Sequence, residues 1–179
     1  MKNLILALLI MFLTIQLTAA DKAGDFKLEN LEGKQVKLSD YLGQGLVIVD
    51  FWATWCVPCK NELPKLDELQ QKYDCVTVLA ISTDKPRDKS EAITHVKSNH
   101  FQFQTLFDPN KIVQKQFNIT SIPRTFVIAP DGTILYDHTG YQRGDENHYE
   151  EVIIKWLEEQ KAAAQEKTDE EVKVESSEN

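Results

Sequence analysis

Between Leu46 and Leu66 the chain reads LVIVDFWATWCVPCKNELPKL, and this stretch constrains the fold more than any other. Leu46 to Phe51 is a continuous apolar run of strand type, broken by one acid, Asp50. Within a few residues it passes into apolar spacing of helical period, at Leu63, Leu66, Leu69 and Tyr73. Cys56 and Cys59 stand at the junction, with Trp52 and Trp55 before them. A thiol that opens a helix meets free backbone N–H groups and the positive end of the helix dipole. Both favour the thiolate, so Cys56 is expected to be the acidic, attacking thiol. Pro58 falls in the first turn, where a missing N–H costs nothing. Cys59, three residues on, is expected to be the more buried partner.

Three uses of such a pair can be weighed. A structural disulfide between these positions closes a ring with two intervening residues and constrains little of the unfolded chain. A zinc site needs about four ligands. Only Cys75 remains among the three cysteines, and His95, His100, His138 and His148 are not spaced as a second pair. A redox dithiol needs only what is present, so the spacing favours thiol–disulfide exchange. Cys75 opens a run of apolar neighbours and reads as an inert, buried thiol.

The rest of the chain alternates strand and helix patterns. FKLENLEGKQVKL reads as a hairpin turning at Glu32-Gly33, and Ser39 to Leu42 as a helical turn. CVTVLAIS (75–82) is a second buried strand, Ser90 to Asn99 a helix capped by Ser90, and Asn110 to Phe117 a short helix. RTFVIA and TILYDH flank the turn Pro130-Asp131-Gly132 as a hairpin. Asp145 to Lys161 is a last helix, with Val152, Ile153, Trp156 and Leu157 inward. This order predicts an α/β fold with a mixed sheet and an N-terminal hairpin extension. The strands on either side of the cysteine helix should be parallel.

The ends of the chain differ from its middle. Lys2, the apolar run Leu4 to Leu13 and the small residues Thr18-Ala19-Ala20 form a secretory-type leader over residues 1–20, cut after Ala20 or kept as an anchor. Its apolar part is shorter than the roughly 20 residues a span prefers. The protein is therefore expected outside the cytoplasm, periplasmic or secreted. Residues 21–161 are expected to form one domain, and 162–179 a disordered acidic tail, too poor in apolar residues to fold alone. The net charge of −8 makes nucleic acid a poor partner.

VDFWATWCVPC resembles the thioredoxin fold. The NELPKL that follows, the leader and the long segment before SIPRTFVIAPDG resemble its extracytoplasmic TlpA/ResA-like branch, over roughly residues 25 to 160. The resemblance implies a central sheet flanked by helices, exchange with protein thiol and disulfide substrates, and no cofactor beyond the Cys56–Cys59 disulfide. Uncharged Val57-Pro58 adds nothing to hold the Cys56 thiolate, so the pair is expected to act as a reductant, which outside the cytoplasm needs a membrane electron donor. Cytochrome c maturation is one destination the resemblance suggests. It matches Cys56 to the attacking and Cys59 to the resolving cysteine. It matches Pro123 to the fold's cis-proline, preceded here by Ile122, beside which a substrate strand would pair. Trp55 and Pro58 would then belong to the flat rim around the disulfide, a substrate-contact surface. Arg124 stands where the family more often has threonine.

Two acids are candidates for proton transfer. Asp50 lies among apolar strand neighbours, where an unpaired carboxylate would protonate more readily than usual. In thioredoxin the acid at this place relays protons to the resolving thiol. Glu62, three residues past Cys59, shares its helix face and matches the functional glutamate of the TlpA/ResA-like branch. The chain carries both, where the family usually has one. Their structural alternatives are a hydrogen-bonded strand acid and a first-turn acid complementing the helix dipole. LENLEGKQVKLSDYLG also resembles the start of peroxiredoxins, but Ala53 stands where their peroxidatic motif needs Thr or Ser. The third class is a non-catalytic thioredoxin-like binding module.

Overall fold

The computed structural model describes residues 21–177. The leader, residues 1–20, lies outside the described residues. The strands are β1 (Lys27–Asn30), β2 (Gln35–Lys37), β3 (Leu46–Trp52), β4 (Val76–Ser82), β5 (Gln104–Phe107), β6 (Arg124–Ile128) and β7 (Ile134–Thr139). The helices are α1 (Val57–Lys72), α2 (Lys89–Ser98), α3 (Ile112–Gln116) and α4 (Glu146–Ser177). The strands form one sheet in the order β2-β1-β5-β4-β3-β6-β7. β3 pairs parallel with β4, and β4 with β5, through the crossover helices α1 and α2. β6 and β7 add antiparallel at one side. The N-terminal hairpin does not stand apart: β1 pairs antiparallel with β5 and extends the sheet. This is the α/β mixed sheet that the sequence pattern predicts, in the thioredoxin-like arrangement that the resemblance implies.

β3 is the centre of the molecule, and all seven of its residues are buried. Alternation divides them between two cores. Leu46, Ile48 and Trp52 face a core shared with Leu63 and Leu66 of α1, Ala92 and Val96 of α2, and Ile153 of α4. Val47, Val49 and Phe51 face a second core with Leu106, Val113 of α3, Phe126 and Ile128. Asp50 falls on the first face by the same alternation. Each fully buried large apolar side chain contributes about 1.5–3 kcal/mol, so the carboxyl of Asp50 is an expensive exception in this strand.

Local chemistry sets the boundaries. Asn30 accepts hydrogen bonds from the N–H groups of Glu32 and Lys34, and Gly33 supplies the left-handed turn at φ +76°. At the start of β3 a Cβ on Gly45 would lie 2.2 Å from the Cys75 carbonyl oxygen, so only glycine fits. α2 starts one residue earlier than the sequence pattern predicts. A 3-10 turn at Pro86–Asp88 leads directly into it, so Ser90 lies inside the helix and not at its cap. α3 starts later than expected, at Ile112, where the Asp108 carboxylate accepts from the N–H groups of Ile112 and Gln114 at 2.8 Å. α4 runs on past Lys161 to Ser177, so most of the stretch expected as a disordered tail is helical instead. Ala162, Ala163, Ala164, Gln165, Glu166 and Lys167 are strong helix formers, and no glycine or proline stops the helix there. Residues 162–169 are fully on the solvent side.

Candidate active site

β3 delivers the cysteines by way of a tight, anchored loop. The buried Asp84 carboxylate accepts from the Thr54 N–H at 3.0 Å, the Thr54 hydroxyl at 2.8 Å and the Ser82 hydroxyl at 2.9 Å. Thr83 N–H donates to the Trp52 carbonyl at 2.9 Å. The loop before Cys56 is thereby tied to the end of β4. Cys56 then takes the N-cap position of α1, with Pro58 in the first turn. Its sulfur accepts from the Cys59 N–H at 3.3 Å. Cys56 and Cys59 are joined by a disulfide. Cys56 is 5% exposed and Cys59 0%, so an incoming group meets Cys56 first.

The surroundings of the disulfide are apolar and open on one side. Trp55 is 66% and Val57 63% exposed, against the habit of such side chains. Pro58 is exposed beside them. A groove of about 300 Å³ is lined by Trp55, Thr120, Ser121 and Ile122 together with Lys111 and Gln114. The Ile122–Pro123 peptide bond is cis, and Pro123 is buried. Arg124 points away from this groove: it stacks over Phe126 and pairs with Asp137 on β7.

Behind the disulfide two acids meet. Asp50 on β3 and Glu62 on α1 are both 0% exposed. Between them stands Thr125 of β6, paired directly with Asp50 across the two strands. Its hydroxyl is 3.2 Å from Asp50 Oδ1 and 2.8 Å from Glu62 Oε1. The Tyr149 hydroxyl donates to the same Glu62 oxygen at 2.7 Å. The second oxygens, Asp50 Oδ2 and Glu62 Oε2, have no partner. Burial, and then the charge of Glu62, pushes the Asp50 carboxyl well above the usual range. Burial raises Glu62 to about 7, against the opposing hydrogen bonds from Tyr149 and Thr125. The site thus holds buried protons near neutral pH on the helix face that carries Cys59.

Sequence reasoning missed Thr125 and Tyr149. Tyr149 keeps helical register with Ile153 and Trp156, so its burial was readable from periodicity. Thr125 carries no signal of its own, because its role depends on which strand lies opposite Asp50. Cys75 is half-buried and unbonded, and burial raises its thiol. Among the described residues no group of His, Cys, Asp and Glu side chains could hold a metal ion.

The fold and the dithiol at the start of α1 define a thioredoxin-like thiol–disulfide oxidoreductase. The AhpC/TSA family profile matches residues 19–137. A thiol-disulfide oxidoreductase ResA from Bacillus thuringiensis subsp. konkukian is 32% identical over 121 residues, 68% of this chain and 69% of that one. The ResA of Bacillus subtilis is 31% identical over 118 residues, 66% of this chain and 65% of that one. A Chlorobium tepidum crystal structure assigned as thiol:disulfide interchange protein DsbE superposes with a TM-score of 0.70 at 30% identity, covering 76% of this chain and 95% of that one. The chain belongs to the AhpC/TSA family, in its ResA-like branch of thiol–disulfide oxidoreductases.

Proposed function

We propose that the protein works outside the cytoplasm as a reductant of disulfides in protein substrates. The observation that carries this reading is the environment of Cys56. It caps α1 with uncharged Val57 and Pro58 beside it. Only the helix terminus favours its thiolate, while ionised Asp50 or Glu62 would oppose it. A strong oxidant needs an unusually stabilised reduced form. The balance therefore favours a potential nearer about −270 mV than about −120 mV.

In this reading the Cys56 thiolate attacks a substrate disulfide, forms a mixed disulfide and expels one substrate thiolate. Cys59 gives its proton to the Glu62 carboxylate and attacks Cys56. The second substrate thiolate leaves, and the Cys56–Cys59 disulfide re-forms. Two electrons pass from the dithiol to the substrate; the first released thiolate takes a proton from water, matching the one Cys56 lost on ionising, and the second takes the Cys59 proton back from the acids. Trp55, Pro58, Ile122 and Pro123 form the contact surface, with substrate backbone pairing beside the cis-proline turn. Re-reduction needs a membrane protein to bring electrons across, since cytosolic thioredoxin cannot reach the site. The family resemblance points to the haem-binding cysteines of an apocytochrome c as a substrate. N-terminal sequencing of the mature protein tests cleavage after Ala20.

Equilibration of residues 21–179 with glutathione redox buffers tests the direction. A potential near −270 mV is expected, and one above about −180 mV, the isomerase range, overturns it. The AhpC/TSA profile favours a second reading, a thiol peroxidase, though Ala53 opposes it. Insulin reduction without peroxide consumption rejects the peroxidase, and the absence of both activities leaves a binding module.

A further inference from the structure

We propose that Thr125 and Tyr149 are positioning residues that bind Asp50 and Glu62 into a single carboxyl pair, with one proton held at rest on Asp50. This rests on the acid–base reading above and deepens it. The Thr125 hydroxyl carries a single proton. That oxygen lies within hydrogen-bond distance of one oxygen of each acid. With both acids ionised, the hydroxyl can serve only one, and the other carboxylate faces a lone pair. With one acid protonated, the chain closes: the carboxyl O–H donates to Thr125 Oγ1, and Thr125 O–H donates to the other carboxylate. Both acids are wholly buried, so no solvent relieves the doubly ionised form. The geometry thus fits one proton better than none.

Tyr149 decides which acid holds it. Its hydroxyl donates to Glu62 Oε1, the oxygen that also faces Thr125. A carboxylate oxygen that receives two donors is stabilised as the anion. Asp50 receives no second side-chain donor, only the weaker backbone contact of Phe51, while the second oxygen of each acid has no partner. The resting arrangement is therefore Asp50 neutral, Glu62 ionised and Tyr149 donating. Burial and the Glu62 charge keep Tyr149 protonated throughout.

Other charges act on Glu62 from the packed elements. Asp145 and Glu146, at the start of α4, both disfavour its ionisation. Glu146 is itself held by the Tyr141 hydroxyl and the Gly144 N–H, and Lys65 of α1 acts on it. His138 of β7 lies 3.2 Å from Asp145 Oδ2. On α1, Cys59 precedes Glu62 by one turn. None of these groups bonds to either carboxyl of the pair among the described residues, so Thr125 and Tyr149 are the ones to change.

The test is a carboxyl ¹³C NMR titration of the oxidised protein, in which neither Cys56 nor Cys59 titrates. Glu62 should ionise near 7, with Asp50 still protonated. Thr125→Val and Tyr149→Phe each remove one donor to the Glu62 carboxylate. Each should raise its midpoint by about one pH unit, tenfold in proton affinity. Thr125→Ser, which keeps the hydroxyl, should leave the midpoint in place. Asp50→Asn should also leave it in place, because a neutral amide replaces a neutral acid. An unmoved midpoint in Thr125→Val and Tyr149→Phe overturns the proposal. So does a fall of a unit or more in Asp50→Asn, which would mean that Asp50 was ionised. Tyr149→Phe removes only the hydroxyl and leaves the ring in place, which keeps the test decisive if Thr125→Val does not fold. The pH profile of Cys59-dependent release of a mixed disulfide forms a separate arm. If the titration moves and that profile does not, the pair stands and the proposed acid–base role falls.

Discussion

At the scale of single residues, the asymmetry of the two sulfurs carries the chemistry. Cys56 is the sulfur that reaches the surface, and Cys59 lies behind it with no exposure. Cys59→Ser should leave Cys56 able to attack but unable to be released, so mixed disulfides with substrates accumulate. Cys56→Ser should trap none. Non-reducing gels with alkylated extracts read the difference, and equal trapping by both variants overturns the assignment. The acids make a second prediction. Glu62→Gln removes the carboxyl one turn from Cys59, and turnover should fall about 10²-fold, the low end for general acid–base catalysis. Insulin reduction by this variant, by Asp50→Asn and by the double variant, followed from about pH 6 to about pH 9 around the reference thiol value, checks it. Parent rates in all three would make the acids structural.

At the scale of elements, the start of β3 and the end of α4 bracket what the fold tolerates. Gly45 faces the Cys75 backbone, to which Leu46 N–H also donates at 2.8 Å. A methyl group there cannot be absorbed by a side-chain rotation, because the atom it meets is a carbonyl. Gly45→Ala should cost about 2 kcal/mol or more in urea unfolding, at the upper side of ordinary single substitutions. It would do so without touching a sulfur. The far part of α4 makes the opposite prediction. Among the residues whose burial is described, its apolar stripe, Tyr149, Val152, Ile153, Trp156 and Leu157, ends before Lys161. Deleting residues 162–179 should change stability by less than about 0.5 kcal/mol, as for surface changes away from the core. A larger loss would mean that the domain extends beyond 161.

At the scale of the molecule, buried acids set the pH range of stability. Glu62 ionises near 7 in the folded chain and at its ordinary 4.5 when unfolded. Between those values the folded state holds a proton that the unfolded state has lost. Stability therefore falls as pH rises from about 4.5 to about 7, by on the order of 3 kcal/mol at most. Asp50 acts in the same direction at higher pH. Asp25, Glu146 and Glu150 are lowered by hydrogen bonds and have the opposite sign, so their contribution is lost as pH falls through the acid range. Maximum stability should lie on the acid side of neutral. Glu62→Gln should flatten the slope between about pH 5 and about pH 7 in urea titrations, and an unchanged slope contradicts the assignment.

The dithiol, its helix, the parallel pairing of the strands around it and the final hairpin were all legible in the sequence. They depend on short-range patterns: apolar period, turn residues and a thiol at a helix start. The two acids were visible as oddities, a charge in a buried strand and a carboxyl one turn past a cysteine. What joins them was not visible. Asp50 meets Thr125 because β6 lies antiparallel beside β3 in one register, and a shift by one residue would put Arg124 or Phe126 there instead. Tyr149 reaches Glu62 across 87 residues of chain, through the packing of α4 on α1. Such contacts are set by how the elements pack, which no local stretch encodes. The sequence alone determined where electrons can be exchanged. The tertiary structure alone decided where the protons can be kept.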